Sequence, residues 1–293
     1  MKIAHISDIH VRNYKYHHEY REVFQQLFDK LKELKPDIIV NTGDTAHTKS
    51  ILSPEYFNLT SWLFTNLAEI APLHMILGNH DCNVKNSSRL DAITPITEAL
   101  EDPNIHFHKY TKEVDLGENI VLNVLSILDQ DKWSAPSDSN KTNLALYHGA
   151  VAGSKTDTGW IMEHGEIDID FLENFDYGLL GDIHRTNQIV DDHGKARYPG
   201  SLIQQNFGES IDKGFLLWDI KDKENFTCDF HQLTNPKPFV TINLTPKGGI
   251  PKGLSPPAGA RLRLVSSNNQ SIEIFRKAVD IAKKRFKPES ISF

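Results

Sequence analysis

The chain has 293 residues, of which 39% are hydrophobic and 24% charged, and its formal net charge is −7. No apolar run approaches the roughly 20 residues that span a bilayer, and the start is too polar for a signal peptide, so we expect a cytoplasmic protein with no membrane partner. Two cysteines exclude a disulfide framework, and the acidic balance does not suggest a nucleic-acid binder, although a groove with bound divalent cations can reverse the local sign.

The first eighty residues alternate short apolar runs with amphipathic segments. Strands are predicted at 3–7, 37–41 and 73–77, and helices at 19–35 and from Pro54 to about Ile70, with Ser53 as the N-cap of the second helix. This order predicts a parallel sheet with crossover helices.

The pattern changes beyond residue 89. A helix is predicted at 89–100 and a short one at 170–174; strands are predicted at 105–109, 113–116, 120–128, 144–147 and 177–180, and hairpins join 188–190 to 196–198 and 214–220 to 226–233. Polar loops fill 129–142 and 149–166. An α/β fold in which two mixed sheets face each other accommodates this pattern.

Asn235-Pro236-Lys237-Pro238 indicates a domain boundary. Strands at 239–244, 261–265 and 290–293 and a helix at 272–286, with Ile274, Ala278 and Ile281 facing inward, predict a small α/β unit. We therefore expect domains at 1–235 and 236–293. Because the last strand has barely begun, we expect the second domain to be truncated at its C-terminal end.

Metal-capable side chains follow five apolar runs of the chain. The five motifs are Asp8-x-His10, Gly43-Asp44, Gly78-Asn79-His80-Asp81, His148-Gly149 and Gly181-Asp182-x-His184. Strands of an open α/β sheet bring such residues to one edge, and oxygen and nitrogen donors suit hard or borderline metals. One motif alone is more often a turn or a solvent-facing histidine, but five in succession are not expected by accident. Two metals clamp phosphoryl oxygens and activate water, so the set predicts phosphodiester hydrolysis.

Other chemistries lack their motifs. The sequence has neither a Gly-x-Ser-x-Gly nucleophile elbow nor a Gly-x-x-x-x-Gly-Lys phosphate loop. Cys82 follows the third motif and either ligates a metal or packs under the site; the oxygen and nitrogen donors beside it favour packing.

The five motifs resemble those of the calcineurin-like binuclear metallophosphoesterases over residues 1 to about 220. A narrower resemblance, to the DNA double-strand-break nuclease subfamily, rests on His47, Tyr198-Pro199-Gly200-Ser201, Phe207-Gly208, Lys213-Gly214-Phe215 and Pro236-Lys237-Pro238-Phe239. That subfamily comprises the bacterial SbcD subunit, the meiotic recombination eleven nuclease and phage recombination nucleases. The resemblance implies a four-layer α/β/β/α sandwich of two mixed sheets with a small α/β capping domain. The acidic charge and short chain suggest a phage source, which would place the protein in the host cytoplasm.

The resemblance also implies a role for each motif residue. One metal would be held by Asp8, His10, Asp44 and His184, and the other by Asp44, Asn79, His148 and Asp182, with Asp44 bridging. The ions would be two divalent cations, Mn²⁺ in the first place and Mg²⁺ as an alternative. His80, paired with Asp81 or Asp8, would orient the scissile phosphate and protonate the leaving oxygen, and His47 would position the DNA end for exonuclease action.

One motif departs from the family. Its last motif usually reads Gly-His-x-His, whereas this chain has Gly181-Asp182-Ile183-His184. A carboxylate adds negative charge to the second metal and should reduce its Lewis acidity, so metal preference or rate could differ from relatives. The alternative is an impaired site.

The implied function is a manganese-dependent DNA exonuclease and endonuclease acting at DNA ends. It would be the nuclease subunit of a repair and recombination complex with an SbcC-like SMC-type ATPase, and a homodimer through residues 89–100. Contacts to double- and single-stranded DNA are expected from Arg12, Tyr14, Lys15, His17, His18, Lys85, Arg89 and Arg185. Two alternatives stay open: a phosphodiesterase acting on small or cyclic nucleotides, and a catalytically weak DNA-repair scaffold.

Overall fold

A computed structural model describes residues 1–165, 167 and 169–293. The strands are β1 (Lys2–Ile6), β2 (Ile38–Asn41), β3 (Leu73–Ile76), β4 (Ile105–His108), β5 (Lys112–Gly117), β6 (Ile120–Leu125), β7 (Thr142–His148), β8 (Tyr177–Gly181), β9 (Gln188–Ile189), β10 (Ala196–Tyr198), β11 (Lys213–Ile220), β12 (Phe226–Leu233), β13 (Phe239–Asn243), β14 (Arg261–Val265) and β15 (Ser290–Ser292). The helices are α1 (His17–Leu34), α2 (Pro54–Ile70), α3 (Thr94–Leu100), α4 (Ile169–Leu172) and α5 (Ile272–Phe286), and 3-10 turns cover Tyr14–Tyr16 and Gln130–Lys132.

Two six-stranded sheets form the larger part of the molecule. The first has the order β12-β11-β1-β2-β3-β4, and the second has the order β5-β6-β7-β8-β10-β9. The strands β1 to β4 are parallel to one another, as are β6, β7, β8 and β10, whereas β5, β9, β11 and β12 pair antiparallel with their neighbours. The predicted pair of mixed sheets is confirmed.

The sheets face each other across a shared apolar core. Ile3, Val40 and Trp218 of the first sheet pack in one cluster with Leu122 and Leu146 of the second. Helices α1 and α2 cover the outer face of the first sheet, and α4 lies with the cluster on the outer face of the second. The α/β/β/α layering expected from the sequence is therefore confirmed. Among the described residues, no helix combines the length and apolarity needed to cross a membrane.

The predicted helix at 89–100 begins later than expected. Helix α3 starts at Thr94, because the Asp91 carboxylate accepts hydrogen bonds from the backbone N–H groups of Ile93, at 2.9 Å, and Thr94, at 2.6 Å. Asp91 satisfies N–H groups that a longer helix would have bonded internally. Residues 89–93 therefore lie in turns and bends.

The last part of the chain has its own sheet and core. Strands β13, β14 and β15 are parallel, and α5 packs on them through Ala278 and Ala282. The expectation that Ile281 faces inward was wrong, since this side chain is 50% exposed. The buried stripe continues from Ala278 to Ala282, one helical turn on, which turns Ile281 away from the sheet. The domain boundary and the truncation stay predictions.

A buried ion pair joins this last part to α1. Arg261 Nη1 lies 2.9 Å from Glu19 Oε2, and a second bond joins Arg261 Nη2 to the same carboxylate. Gln204 and Phe239 also exchange two hydrogen bonds between side chain and backbone, at 2.8 and 2.9 Å. The contact is therefore polar and directional rather than purely apolar.

Candidate metal centre

The ends of β1, β2, β3, β7 and β8 meet at one edge of the sandwich. The loops after β1 and β2 run side by side, with Asp8 N donating to Gly43 O at 3.1 Å and His10 N donating to Asp44 O at 2.9 Å. The carboxylates tie in the other exits: Asp182 N donates to Asp8 Oδ2 at 3.1 Å, and His80 N donates to Asp44 Oδ1 at 2.8 Å. Backbone N–H groups therefore fix the orientation of both carboxylates.

Four motif residues have left-handed backbone angles. The φ values are 51° for Asp8, 48° for His10, 53° for Asp44 and 95° for Asp182. Residues other than glycine rarely adopt this backbone region. Each residue held in such a sparsely populated conformation costs about 1–3 kcal/mol. The turns out of the sheet aim these four side chains back into one space, so the strain lies where the ligands converge.

Two glycines allow the loops to approach closely. A Cβ on Gly78 would lie 2.0 Å from Asp44 Oδ1, and a Cβ on Gly181 would lie 2.3 Å from Thr42 O. Neither position has room for a side chain. The glycines of the motifs are thus explained by contact between neighbouring strand exits.

One group of donors brings together residues from the ends of β1, β2 and β8. His10 Nε2 lies 3.0 Å from His184 Nε2 and 3.5 Å from Asp44 Oδ2, and His184 Nε2 lies 3.7 Å from Asp8 Oδ1. Donor atoms of Asp8, His10 and His184 all lie within 4.8 Å of one another. These are the four residues predicted for the first metal.

A second group lies on the other side of Asp44. His148 Nε2 lies 3.4 Å from Asp44 Oδ1 and 3.8 Å from Asp182 Oδ1, and Asn79 Nδ2 lies 3.1 Å from the same Asp182 oxygen. The two oxygens of Asp44 therefore face different groups, Oδ2 the first and Oδ1 the second. This is the arrangement that a bridging carboxylate requires.

The histidine tautomers suit metal ligation. His148 Nδ1 donates to Thr42 O at 2.7 Å and His184 Nδ1 donates to Glu209 Oε1 at 2.8 Å, so each Nε2 points into the site. His148 Nε2 is buried and has no hydrogen-bond partner among the residues that the structure describes. A buried ring nitrogen without a hydrogen-bond partner, beside oxygen donors, fits a divalent cation.

The electrostatics of the site favour a positive charge. Burial lowers the pKa of His10 to about 3, so this imidazole is neutral and able to act as a ligand. Burial also disfavours the charged form of His148, but the carboxylates of Asp44, Asp8 and Asp182 outweigh it and raise its pKa well above the ordinary range, so a cation that binds at its Nε2 would displace a proton. Burial would raise the pKa of Asp44, yet His148 and His10 hold it below its usual value. Several carboxylates that are buried together need a nearby cation, because solvent does not offset their negative charge.

His80 and His47 lie at the mouth of the site. The His80 ring meets the His10 ring edge-on at 4.8 Å, and it is inclined by 30° to the His47 ring at 6.1 Å between centroids. His80 Nδ1 donates to the His47 carbonyl at 2.7 Å, and His80 is exposed. Its Nε2 is therefore the atom available to a substrate.

The expected pairing of His80 with Asp81 or Asp8 is not observed. Asp81 is fully buried, and its carboxylate accepts from Gly78 N at 3.0 Å and from Ala46 N at 2.7 Å. Burial and the neighbouring Asp44 charge raise its pKa to about 7. Asp81 holds the turn after β3 rather than the His80 ring, because the backbone N–H groups lie closer to it.

Glu209 was not among the predicted site residues. Besides His184, its carboxylate contacts Ser201 Oγ at 3.1 Å, Gln205 N at 2.9 Å and Lys213 Nζ at 3.3 Å. It orients His184, as carboxylates commonly do for metal-ligating histidines. The only signal for it in the sequence was its place directly after Phe207-Gly208.

Cys82 packs beneath the site. Its thiol is buried and lies 3.6 Å from Gly78 O, and burial raises its pKa to about 12. A protonated thiol is a poor metal ligand, because metals bind the thiolate. The packing alternative is the one that the structure supports.

Two of the residues expected to contact DNA, Arg12 and His17, form contacts within the molecule. Arg12 Nη1 donates to Gln205 O at 2.6 Å with its guanidinium 4.4 Å from the Tyr16 ring, and His17 is buried with its Nε2 2.8 Å from Arg12 O. Both side chains are occupied within the molecule, where they hold the 3-10 turn before α1. The remaining candidates are exposed: Tyr14, Lys15, His18, Lys85, Arg89 and Arg185.

Comparisons with known proteins agree with this geometry. The family model for the calcineurin-like phosphoesterases matches residues 1–222. An uncharacterized protein of Acanthamoeba polyphaga mimivirus is 35% identical over 301 residues, which is 97% of this chain but only 22% of that protein. The SbcD subunit of the SbcCD nuclease from Staphylococcus epidermidis is 26% identical over 258 residues, which is 76% of this chain and 67% of that protein. The chain thus spans about a fifth of the length of its viral relative.

Proposed function

Because the chain belongs to the calcineurin-like phosphoesterase family, a family of metal-dependent hydrolases, we propose that it cleaves phosphodiester bonds of DNA as an exonuclease and endonuclease acting at DNA ends. The observation that carries the proposal is Asp44, whose two oxygens face two separate groups of nitrogen and oxygen donors. The similarity to a nuclease subunit over 76% of the chain supports DNA as the substrate.

The donor groups define two cation sites. We assign Asp8, His10, Asp44 and His184 to one and Asp44, Asn79, His148 and Asp182 to the other, with Mn²⁺ as the proposed ion and Mg²⁺ as an alternative. Asn79 joins by turning its amide oxygen toward the site, since its two amide ends differ only by a 180° rotation. Bound divalent cations neutralise phosphoryl charge and lower the pKa of water.

The protein's own residues position and protonate the substrate. His80 is held through Nδ1 by the His47 carbonyl, which leaves Nε2 as the atom that would pass a proton to the leaving oxygen. His47 itself flanks the mouth and limits how a DNA end can approach. The carboxylate of Asp182, which replaces the more usual histidine, would partly neutralise a cation bound there, and we expect this to lower the cation's Lewis acidity and to shift metal preference.

Further partners follow from the same similarity. We propose an SbcC-like SMC-type ATPase as the partner subunit, a homodimer formed through residues 89–100, and a capping role for residues 236–293. The exposed Leu90, at the start of residues 89–100, suits a contact between subunits.

The test is cleavage of end-labelled linear duplex and single-stranded DNA with Mn²⁺ and, as a control, Mg²⁺. We expect Mn²⁺-stimulated release of nucleotides, reduced about 10²- to 10⁴-fold in His80→Ala, the range for a lost general acid. His80→Ala should still bind both metals, and Lys141→Ala, which removes an exposed ion pair with Asp115, should cleave normally. Absence of cleavage by the intact protein, alone and with its ATPase, would refute the proposal.

The alternatives give different results in the same assays. A small-nucleotide phosphodiesterase, favoured by the 310 Å³ cavity beside Asp182 and His184, would hydrolyse cyclic nucleotides without regard to DNA ends. A repair scaffold would bind fewer than two metals per chain, and His80→Ala would change nothing.

A further inference from the structure

A short hairpin stands beside the metal centre. Residues 153–162 fold back on themselves, with Gly153 N donating to Met162 O at 2.8 Å and Thr156 N donating to Trp160 O at 2.9 Å. Trp160 is 63% exposed and Ile161 is 47% exposed. The other three tryptophans of the chain are partly or fully covered.

The hairpin is fixed relative to the metal ligands. Lys213 is fully buried, and its Nζ lies 3.0 Å from Asp157 Oδ2 on the hairpin, 2.8 Å from His184 O and 3.3 Å from Glu209 Oε2. A buried ammonium that loses one of these partners is left partly unpaired, so the link resists displacement. The position of Trp160 is therefore set by the same lysine that contacts His184.

Gln188 fixes the hairpin from the side of β9. Its side chain accepts from Lys155 N at 2.7 Å and donates to Lys155 O at 3.0 Å. Two hydrogen bonds to one residue restrain its backbone as a neighbouring strand would. The hairpin that carries the exposed Trp160 is thus held in place by hydrogen bonds.

A cavity connects Trp160 to the metal centre. It has a volume of about 600 Å³ and is lined by Ala150, Trp160, Ile161, Met162, His164 and Asp182, among others. Asp182 also lines the 310 Å³ cavity that contains His184. A strand with its scissile phosphate at the candidate metal centre beside Asp182 would therefore have an adjoining nucleotide within the cavity that Trp160 borders.

The chemistry of this wall suits the face of a base rather than a phosphate. The indole, Ile161 and Met162 are uncharged, and the carboxylate of Glu163, which also lines the cavity, would repel a phosphate. An aromatic ring stacks on any base because every base has a π-face. In a continuous duplex both faces of a base are covered by its neighbours. An unpaired or terminal base leaves a face free for the indole.

We propose that Trp160 is a stacking residue that holds an unpaired nucleobase of the strand being cut, so that single-stranded or frayed ends bind better than fully paired DNA. This inference rests on the proposed function, since it requires a DNA strand at the metal centre. The hairpin would then select the DNA structure, and the candidate metal ligands would carry out the hydrolysis.

Equilibrium binding of a fluorescein-labelled single-stranded oligonucleotide tests it, with Mn²⁺ present and in the His80→Ala background to suppress cleavage. We expect Trp160→Ala to raise the Kd about 5- to 150-fold, equivalent to about 1–3 kcal/mol for one lost stack. Trp160→Phe should retain part of the affinity. Tyr110→Ala, which removes a 49% exposed aromatic ring outside both cavities, should leave the Kd unchanged.

An oligonucleotide of the same length with abasic sites provides the second arm. Without bases to stack, wild-type protein and Trp160→Ala should bind it equally. Equal losses on both oligonucleotides, or no loss on either, would overturn the inference, as would a change of oligomeric state in Trp160→Ala. If wild-type protein cleaves DNA and Trp160→Ala binds the oligonucleotide normally, the inference alone fails. If wild-type protein neither binds nor cleaves DNA, the proposed function fails too.

Discussion

Replacing Glu209 with glutamine should weaken one metal site selectively. The carboxylate accepts the Nδ1–H of His184 at 2.8 Å, and this bond keeps the Nε2 lone pair directed at Asp8 and His10. Glutamine has nearly the same shape and can still accept through its oxygen, but the charge is lost. Glu209→Gln therefore changes the strength of the bond without removing it.

The size of the effect follows from that difference. A hydrogen bond to a charged group contributes about 1.5–3 kcal/mol and a neutral one about 0.5–1.5 kcal/mol. Their difference, about 1–1.5 kcal/mol, raises the Kd for the metal at His184 about tenfold. This agrees with the lower end of the 10- to 100-fold losses found when partners of metal ligands are replaced.

Calorimetric titration of metal-free protein with Mn²⁺ measures the two sites. We expect one binding event to weaken and the other, at His148, to keep its affinity. Glu224→Gln is the matched control, because Glu224 is exposed and pairs only at the surface with Lys195. Urea unfolding in EDTA separates any loss of stability, since Lys213 also loses a charged partner. Unchanged affinity at both sites, or an equal loss at both, would refute the reasoning.

Three further predictions concern the turn after β3, a buried histidine and the contact between the two parts of the chain. Gly78→Ala should lose bound metal, measured by mass spectrometry of the dialysed protein, because its Cβ would lie 2.0 Å from Asp44 Oδ1; full metal content would contradict this. Burial lowers the pKa of His74 from 6.5 to about 4, so its contribution to stability is complete above about pH 6.5 and falls as the pH drops toward 4. Between pH 7 and pH 5, wild-type protein should therefore lose about 2 kcal/mol more of its unfolding free energy than His74→Phe does. Urea unfolding at both pH values measures this, and an equally steep loss in the variant would contradict the prediction. Arg261→Leu removes both guanidinium hydrogen bonds of the buried Glu19 carboxylate and should destabilise the fold by about 3–5 kcal/mol. Replacing Glu19 with leucine as well should largely restore the stability, so equal destabilisation in the single and double variants would argue against the pair.

The convergence of the candidate metal ligands could be predicted because these residues obey a rule of local order. Four of these residues lie shortly after the end of a strand, and parallel strands end at a common edge; they are Asp8, Asp44, Asn79 and Asp182. Apolar runs of the right length indicated where those strands lie. The position of a ligand along the chain was therefore enough to place it in space.

Residues that act through tertiary contacts escaped prediction. Glu209 lies in a loop without periodicity, and only the fold brings its carboxylate to the Nδ1 atom of His184. Arg12 and His17 looked like free cations, but charge alone does not reveal that a carbonyl or an aromatic ring inside the molecule already occupies them. For Ile281, a shift of one residue relative to the buried Ala282, about 100° around the helix, was enough to exchange the buried and exposed faces.

The left-handed backbone at Asp8, His10, Asp44 and Asp182 sets a limit on how this protein can be made more robust. Glycine at any of these four positions would relieve the φ strain, but it would also delete a ligand. Selection for thermal tolerance and selection for turnover would therefore pull these positions in opposite directions, a stability–activity trade-off built into the ends of the strands. Variants that gain heat resistance without losing activity are expected to change residues elsewhere in the sandwich.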